Sequence, residues 1–513
     1  MSNNVRQLLE ERAGRYPDKT FLFSEADGRS WSYSEFDRAV NKTANMLRLH
    51  GIAKGDVVSL LMPNSAEYII AYFACWKIGA LAGPVNSLLK SEEIEWVIGN
   101  SETKLILSEL SALADGRLRS LGNKVPIIAN WPPTDASDSD QLDEIELTAD
   151  DDAIIIYTSG TTGKPKGCLL THGNLIANAS QIADWMGFGE DDRLLTIMPL
   201  FHMNAVSVTT MTALYAGGST VVSPKFSASR FWDIIEKYEI TSFGSVATML
   251  SMLLAKSQES GVGSRGSDEE KIKTLDSRLR FAMCGSAPVP AEILKRFEET
   301  FGCLVIEGYG LSESTCRSTF NPPNEDRRPG SCGQPIGNEM KIFDEDDREV
   351  TNGELGEIVL RGENILKGYF KNEEATAKAF RNGWFHTGDI GYRDADGFFY
   401  IADRKSDMII RGGENIYPRE IDDLLYKHPA VASAAVIGVP DELYGEDVAA
   451  FVVLTQGAQV TSDDLMAFCR EHLADFKCPK TVYFLDEIPK GPTGKLLKRE
   501  LAKLLSTGQN RER

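Results

Sequence analysis

The segment from Tyr157 to Gly167 reads Tyr-Thr-Ser-Gly-Thr-Thr-Gly-Lys-Pro-Lys-Gly, and no other part of the chain combines hydroxyls, glycines and lysines so densely. The apolar run at residues 153–156 before it is typical of a buried strand, and the pattern at residues 174–186 after it predicts a helix. Glycines let backbone N–H groups approach an anion closely, while hydroxyls and lysines add donors and positive charge. The segment therefore indicates a phosphate-binding loop, with an ordinary glycine-rich surface loop as the alternative. It is not a P-loop, because its two glycines are too close together for that motif.

Length, charge and cysteine content restrict the class of protein. A chain of 513 residues is too long for one compact core, so two or more domains are expected. The net charge of −20 argues against nucleic-acid or anionic-membrane binding as the main function, and no apolar run is long enough to span a membrane. The eight scattered cysteines contain no Cys-x-x-Cys pair, which predicts buried free thiols in a reducing compartment. With no targeting pattern at either end, we predict a cytoplasmic protein. We also expect a monomer or homodimer.

Alternating strand and helix patterns run through residues 57–107 and again through residues 194–306. Such alternation predicts parallel sheets covered by helices. Beyond Lys341 the pattern changes to hairpins, and beyond Asp407 to a compact α+β arrangement. We therefore predict an α/β fold. Residues 1–405 would form a large N-terminal domain of parallel βα layers plus a β-rich subdomain, and residues 406–513 a small α+β C-terminal domain.

Three short motifs that follow predicted strands carry candidate binding residues. The small-residue turn at 285–288 would let a flat ring lie against the backbone, although it also fits an ordinary strand-to-helix turn. In the segment 307–313, Tyr309 could stack on a base and Glu313 could hold a magnesium ion that bridges phosphate oxygens. A tight turn with a solvated Glu is the alternative. Asp389 follows an aromatic strand and would suit hydrogen bonding to a ribose diol, although such an Asp is more often part of a turn.

Three other segments are ambiguous on their own. The glycine pair within residues 411–415 lies beside the predicted domain boundary and suits close approach of the backbone to a ligand. Lys495 lies in a late loop, where a lysine is usually only solvated. His202 follows an apolar strand, and a packed or capping role fits it best, because no Ser/Asp partner spacing supports a hydrolase triad.

Taken together and in this order, these segments resemble the acyl-adenylate-forming (ANL) superfamily. Its members are AMP-forming acyl-CoA synthetases, peptide-synthetase adenylation domains and beetle luciferases. The loop matches the family signature Thr-Ser-Gly-Thr-Thr-Gly-x-Pro-Lys-Gly at every fixed position, and the resemblance covers essentially the whole chain. Two departures are visible. Ser312 replaces the usual threonine and keeps the hydroxyl, and Ser406 replaces the Asp or Lys often found at the hinge position, where a small polar residue can still absorb a backbone rotation.

The resemblance implies a role for individual residues. The C-terminal domain would be mobile, with Ser406 as its hinge. The catalytic set would be Lys495, Glu313 as the Mg²⁺ ligand, and His202 at the acyl site. The ATP- and AMP-binding set would be Thr158, Ser159, Gly160, Thr161, Thr162, Gly163, Lys164, Lys166, Gly285, Ser286, Ala287, Pro288, Glu307, Gly308, Tyr309, Gly310, Ser312, Asp389 and Arg404. The coenzyme A-binding set would be Arg411, Gly412, Gly413, Glu414, Tyr444, Phe476 and Lys477.

The resemblance also implies the reaction. A carboxylic acid:CoA ligase of this kind uses ATP and Mg²⁺ to form an acyl-adenylate and pyrophosphate, and then transfers the acyl group to the thiol of coenzyme A. An adenylation enzyme that loads a carrier-protein thiol and a luciferase-like oxygenase are the alternatives. The acid stays open between medium-chain, aryl and carnitine-type. Arg317 could meet a second polar group on the acid or make a surface salt bridge.

Overall fold

The structure is a computed structural model. It describes residues 2–109, 121, 124–129, 131, 139–158, 165–259, 278–285, 290–455, 457–491 and 496–506. The helices are α1 Val5–Arg15, α2 Tyr33–Leu49, α3 Ala66–Lys77, α4 Ser91–Asn100, α5 His172–Met186, α6 Thr212–Ala216, α7 Phe231–Lys237, α8 Ala247–Glu259, α9 Ala291–Phe301, α10 Glu373–Ala379, α11 Pro418–Leu425, α12 Ser462–His472 and α13 Lys498–Ser506, with a π-helix at Asn204–Met211 and 3₁₀ turns at Ser312–Ser314 and Asp475–Lys477.

The strands, in chain order, are β1 Thr20–Ser24, β2 Ser30–Ser32, β3 Val57–Leu61, β4 Leu81–Pro84, β5 Leu105–Ser108, β6 Ile127–Ile128, β7 Asp152–Thr158, β8 Lys166–Thr171, β9 Arg193–Thr196, β10 Ser219–Val222, β11 Ser242–Ser245, β12 Phe281–Cys284, β13 Leu304–Tyr309, β14 Thr319–Phe320, β15 Gln334–Pro335, β16 Glu339–Phe343, β17 Gly356–Arg361, β18 Gly368–Tyr369, β19 Phe380–Arg381, β20 Trp384–Arg393, β21 Phe399–Arg404, β22 Ile409–Arg411, β23 Glu414–Ile416, β24 Val431–Asp441, β25 Gly445–Leu454 and β26 Thr481–Phe484.

Two large sheets form the N-terminal part, and each has a parallel centre with antiparallel edges. One has the order β15-β14-β13-β12-β11-β9-β10-β1-β2, and its pairs from β13 to β1 are parallel. The other has the order β18-β8-β7-β4-β3-β5-β6, and its pairs from β7 to β6 are parallel. The predicted α/β class is confirmed. In each sheet the carboxyl ends of the parallel strands meet at one edge, where α/β proteins place their sites.

Two smaller sheets complete the fold. The strands β16, β17, β20, β19 and β21 form an antiparallel sheet, which is the β-rich subdomain predicted from the hairpin pattern. The strands β23, β22, β25, β24 and β26 form the C-terminal sheet. One hydrophobic cluster extends across both large sheets, whereas the C-terminal sheet packs α11, α12 and α13 in clusters of its own.

The loop at 157–167 joins an antiparallel hairpin. The strand β8 pairs with β7 from Asp152 opposite Thr171 to Thr158 opposite Lys166. Sequence patterns predicted the strand before the loop and the helix after it, but not β8 between them. The helix α5 begins where Thr171 accepts a hydrogen bond from the Asn174 N–H group at 3.1 Å, and it ends at Gly187, whose φ is +61°.

The cysteines and the helices agree with the expectations from composition and hydropathy. All eight cysteines are free and buried, as predicted. No helix in the described ranges is both long and apolar enough to cross a bilayer.

Candidate active site

A cavity of about 1760 Å³ lies between the carboxyl edge of the large sheets and the C-terminal part of the chain. Its N-terminal wall includes Met198, Gly308 and Asp389, and its C-terminal wall includes Arg419 and Lys490. A cavity at the carboxyl ends of parallel strands, closed by a second structural unit, is a common place for a ligand site.

One end of this cavity is a connected set of polar side chains from β13, β20 and β21. The Tyr309 hydroxyl donates to Asp389 Oδ2 at 2.6 Å, and Arg404 Nε lies 3.2 Å from Asp389 Oδ1. Asp389 and Arg404 are directly opposite each other on neighbouring antiparallel strands, so the backbone register sets their approach. Burial, together with the Asp389 carboxylate, raises the pKa of Tyr309 well above its ordinary value, and the hydroxyl therefore stays a donor. We call Tyr309, Asp389 and Arg404 the nucleotide cluster.

Glu307 lies on the same strand as Tyr309 and lines the cavity, but its carboxyl is buried. The Gly330 N–H group donates to both of its oxygens, at 3.2 and 3.0 Å. Burial raises the pKa of Glu307 to about 8, against smaller opposing effects from the Gly330 hydrogen bond and from Arg419 and Arg327. The carboxyl is therefore mostly protonated at neutral pH, and it adds no full negative charge beside an anionic ligand.

A second polar set surrounds the base of the hairpin loop. Tyr369 on β18 donates to Glu313 Oε1 at 3.1 Å, and Lys166 Nζ lies 5.1 Å from the centre of the Tyr369 ring. Thr158 Oγ1 is 3.8 Å from the sulfur of Cys168. Burial raises the pKa of the Cys168 thiol, and the nearby Glu313 carboxylate raises it further. The predicted metal ligand Glu313 therefore lies at the start of the predicted phosphate loop. Tyr369 was missed from sequence; its only signal was an aromatic in a short Gly-Tyr-Phe segment.

Between these two sets, glycines allow neighbouring segments of the chain to pack closely against the strand ends. A Cβ atom on Gly285 would lie 2.5 Å from the Gly308 carbonyl oxygen, and one on Gly308 would lie 2.5 Å from the Phe320 ring. A Cβ on Gly310 would overlap the Cys316 carbonyl. Ser312 follows, half-buried, at the start of the 3₁₀ turn that carries Glu313. Glycine is therefore required for packing at all three positions.

The predicted acyl end has a different character, because its buried polar atoms lack partners among the described residues. These atoms include His202 Nε2, both side-chain polar atoms of Asn204, and Nε and Nη2 of Arg317. Burial lowers the pKa of His202 to about 4, so its ring is neutral at pH 7, and it packs on Phe201 at 4.7 Å between ring centres. Phe201 lines the cavity. Arg317 is 1% exposed, so the alternative of a surface salt bridge is wrong.

The predicted coenzyme A residues meet at a hairpin of the C-terminal sheet. Gly412 and Gly413 form the two-residue turn between β22 and β23, with φ of +61° and +91°, which only glycine adopts without strain. The Arg411 guanidinium lies 5.2 Å from the centre of the exposed Tyr444 ring and donates to the Phe476 carbonyl at 2.8 Å. Beyond these residues, Glu414 is exposed at the start of β23, and Lys477 Nζ is bound to Glu420 at 2.7 Å.

The predicted hinge Ser406 and the described residues on either side of the Lys495 loop line the same cavity. Ser406 is exposed in the turn between β21 and β22, and its hydroxyl donates to Asp407 at 3.0 Å. Gly491 and Leu496, on either side of the Lys495 loop, line the cavity, and the hairpin at 411–414 does not. The predicted site residues that lie outside the described residues are Ser159, Gly160, Thr161, Thr162, Gly163, Lys164, Ser286, Ala287, Pro288 and Lys495.

Comparison with known families identifies the class to which this fold and site belong. The sequence matches the model of the AMP-binding enzyme family over residues 9–370 and that of the AMP-binding enzyme C-terminal domain over residues 420–495. The chain belongs to the AMP-binding enzyme family.

Individual relatives match this chain over nearly its whole length. The chain is 36% identical to a sulfoacetate–CoA ligase of Cupriavidus necator over 97% of each sequence, and 36% identical to a feruloyl-CoA synthase of an Amycolatopsis species over 92% of this chain and 94% of the relative. The crystal structure of ATP-bound MatB from Rhodopseudomonas palustris shares 31% identity with a TM-score of 0.89, covering 98% of this chain and 99% of that one. The predicted superfamily and the predicted enzyme class, an AMP-forming acid–thiol ligase, are confirmed.

Proposed function

We propose that this protein is an AMP-forming carboxylic acid:CoA ligase whose two half-reactions take place in the cavity described above. In the first, an oxygen of the acid attacks the α-phosphorus of ATP, an acyl-adenylate forms and pyrophosphate leaves. In the second, the sulfur of coenzyme A attacks the acyl carbon, AMP leaves and the thiol proton passes to solvent. The family and its named relatives support ATP and coenzyme A as the co-substrates.

The observation that carries this proposal is the nucleotide cluster at the end of the cavity. Tyr309 and Arg404 hold Asp389 at the end of the cavity, where a carboxylate is the acceptor that suits the two hydroxyls of a ribose. Gly308, Tyr309 and Gly310 line the cavity beside Asp389, and they would face the base of a bound nucleoside. Together these residues would hold the nucleoside while the hairpin loop at 158–167 holds the β- and γ-phosphates.

Two anions must meet in the first half-reaction, so the protein must supply positive charge and alignment. We assign this role to Lys495 and to the N–H groups, hydroxyls and lysines of the loop. Loss of one such electrostatic contact commonly costs about 3–4 kcal/mol at the transition state. Because the described residues on both sides of the Lys495 loop line the cavity, the domain arrangement suits adenylation.

Glu313 fits the magnesium ion that the family implies. Mg²⁺ is usually bound by one or two protein carboxylates together with waters and substrate phosphates, so a single carboxylate beside the phosphate loop suffices. The hydrogen bond from Tyr369 occupies part of one carboxylate oxygen and would orient the other for the ion. Bound there, Mg²⁺ would neutralise charge on the phosphate oxygens.

For the second half-reaction we assign the hairpin at Gly412-Gly413 to coenzyme A. Since this hairpin does not line the cavity in the present arrangement, it would reach the adenylate after a rotation about Ser406, with residues 1–405 and 406–513 as the two moving domains. The exposed rings of Tyr444 and Phe476 offer a stacking surface for the coenzyme A nucleotide. Arg411 contacts both residues, but its guanidinium is also paired with the buried Asp447 at 3.1 Å.

The test is a product analysis on a panel of carboxylic acids. With ATP, Mg²⁺ and coenzyme A, we expect AMP, pyrophosphate and an acyl-CoA from at least one class of acid. Without coenzyme A, sustained AMP release should require hydroxylamine, which traps the acyl-adenylate as a hydroxamate. Formation of ADP, or acyl transfer only to a carrier-protein thiol, would contradict the proposal.

A further inference from the structure

Arg317 is the most unusual buried group in the described part of the chain. Its side chain is among the largest that are fully buried, and the described residues place no carboxylate within ion-pair distance of it. One nitrogen, Nη1, donates weakly to the Cys316 carbonyl at 3.3 Å, and the guanidinium carbon lies 5.4 Å from the centre of the Phe320 ring. Its Nε and Nη2 atoms have no acceptor among the described residues. These two N–H groups share one edge of the guanidinium plane, which is an edge that binds a carboxylate through two parallel hydrogen bonds.

Hydrogen bonds from neighbouring side chains fix the position of the Arg317 backbone. The amides of Asn178 and Asn364 both donate to the Arg317 carbonyl, at 2.7 and 3.0 Å. The two residues before it, Thr315 and Cys316, have φ of +61° and +151°, a conformation that costs free energy in non-glycine residues. Strain of this kind persists only where surrounding contacts impose it, and it is concentrated at functional sites.

The guanidinium lies beside a patch of the sheet where three neighbouring strands carry glycines. Gly244 is in register with Met283 and Ile306, so Gly244, Gly285 and Gly308 belong to the same face of three neighbouring strands. A Cβ on Gly285 would lie 2.9 Å from Arg317 Nη2, and a Cβ on Gly244 would lie 2.7 Å from Asn204 Oδ1. We call these three glycines the glycine face. It brings the unpartnered atoms of Arg317 and Asn204 to one surface. Gly308 of that surface lines the cavity, whereas Arg317 and Asn204 are buried next to the glycines and do not themselves line it.

We infer that Arg317 binds a second anionic group on the acid substrate, and that the preferred substrates are short dianionic acids bearing a second carboxylate or a sulfonate. The inference rests on the proposed function, since it assigns the acyl end of that same cavity. A buried unpaired guanidinium is unfavourable in the empty protein, and an oxyanion is the ligand that satisfies both its charge and its free edge. A monocarboxylic acid, whose only charge must face the α-phosphate, leaves Arg317 unpaired.

The test compares matched acids in the wild-type enzyme and in variants. Malonate and sulfoacetate are paired with propanoate, and succinate with butanoate, with kcat/KM measured as acid-dependent AMP formation. We expect the wild type to prefer the dianionic member of a pair. In Arg317→Met, kcat/KM for the dianionic acid should fall about 100-fold, because one partner of a buried charged pair is removed, while that for the monoacid is unchanged or higher. Arg317→Lys keeps the charge without the paired N–H groups, so its kcat/KM for the dianionic acid should lie between the values of the wild type and of Arg317→Met.

Arg361→Met provides a control, because Arg361 is half-exposed and ion-paired with Glu339 on β16. We expect this variant to have the wild-type kcat/KM with both acids of a pair. Melting temperatures supply a second measurement. Malonate should raise the melting temperature of the wild type in the presence of AMP but not that of Arg317→Met, and the empty variant should be the more stable protein.

Two results would overturn the inference while leaving the proposed function intact: an equal loss of kcat/KM for both acids in Arg317→Met, or no preference for dianionic acids in the wild type. Absence of AMP formation from every acid would overturn the proposed function and the inference together. The ratio between malonate and sulfoacetate identifies which anion Arg317 prefers.

Discussion

The nucleotide cluster and the predicted acyl end both lie next to β13, but they differ in how well their polar groups are satisfied. In the nucleotide cluster, Asp389 accepts from Tyr309 at 2.6 Å and faces Arg404 at 3.2 Å. At the acyl end, Arg317 and Asn204 bury donors and acceptors that have no partner in the described part of the chain. Buried polar groups in proteins are normally satisfied. The difference indicates that one end is complete before the substrate binds, whereas the other is completed by the acid.

Lys495→Ala should have the largest effect, because Lys495 is proposed to act where the two ends meet. We expect adenylation to fall by about 10²–10³-fold, the usual loss for one electrostatic contact to the reacting charge. Thioester formation from supplied acyl-adenylate should fall far less. The two half-reactions are measured separately as pyrophosphate exchange and acyl-CoA formation, with Lys341→Ala as a control, since Lys341 is a surface lysine paired with Glu349. Equal losses in both half-reactions would sink the assignment.

Asp389→Asn tests the nucleotide cluster. The substitution keeps the shape of the side chain but removes the charge that holds Tyr309 and Arg404, and we expect kcat/KM for ATP to fall roughly 10–100-fold. The factor should be the same for every acid that the enzyme accepts. Asp396→Asn, in an exposed turn of the same sheet, is the matched control. A loss that depends on the acid would show that the two ends are not separable.

Glu307 predicts a pH dependence of stability. Because its pKa is raised to about 8, the folded protein binds a proton that the unfolded chain releases near its ordinary pKa. Its contribution to the free energy of unfolding is therefore full at acid pH and is lost as pH rises towards 8, by up to about 1.4 kcal/mol per pH unit. Thermal unfolding of Glu307→Gln between pH 5 and 8 should show a flatter decline than the wild type. Parallel curves for the two proteins would refute this.

Tyr369→Phe should have the smallest effect. It removes one hydrogen bond to Glu313, an interaction of about 1 kcal/mol, so adenylation should fall several-fold. Since Glu313 is the proposed Mg²⁺ ligand, the loss should be partly recovered at high Mg²⁺ concentration. Tyr400→Phe is a control, because that hydroxyl contacts Asp394 away from the loop. An unchanged dependence on Mg²⁺ would argue against the role of Tyr369 as an orienting residue.

Sequence patterns predicted most of the elements that position the site, because local periodicity and caps set them. The strand predicted at residues 153–156 and the helix predicted at 174–186 correspond to β7 and α5. The alternating patterns at 57–107 and 194–306 correspond to β3–β5 and to β9–β13 with the helices between them. The strand β8 was missed, since its residues read as the end of a loop and only pairing with β7 makes them a strand. The antiparallel edges of the sheets were missed for the same reason: strand direction depends on partners far away in sequence.

The site residues also fall into two groups, those that the sequence predicted and those whose contacts depend on the fold. Motifs that follow recognisable strands pointed to Tyr309 and Asp389, and the family resemblance pointed to Arg404. They did not predict that Tyr369, 56 residues after Glu313, would be bonded to it, or that Arg317 would be buried. Both facts depend on long-range packing, and a charged residue four positions after Glu313 gives no local signal of the glycine face on which it lies.

The most direct test is acid-dependent exchange of pyrophosphate into ATP, measured with malonate and with propanoate in the wild type, Asp389→Asn and Arg317→Met. We expect Asp389→Asn to lower exchange by the same factor with both acids. We expect Arg317→Met to lower exchange with malonate alone. If each variant instead lowered both exchanges alike, the division between a preformed nucleotide end and an acid-completed acyl end would be contradicted.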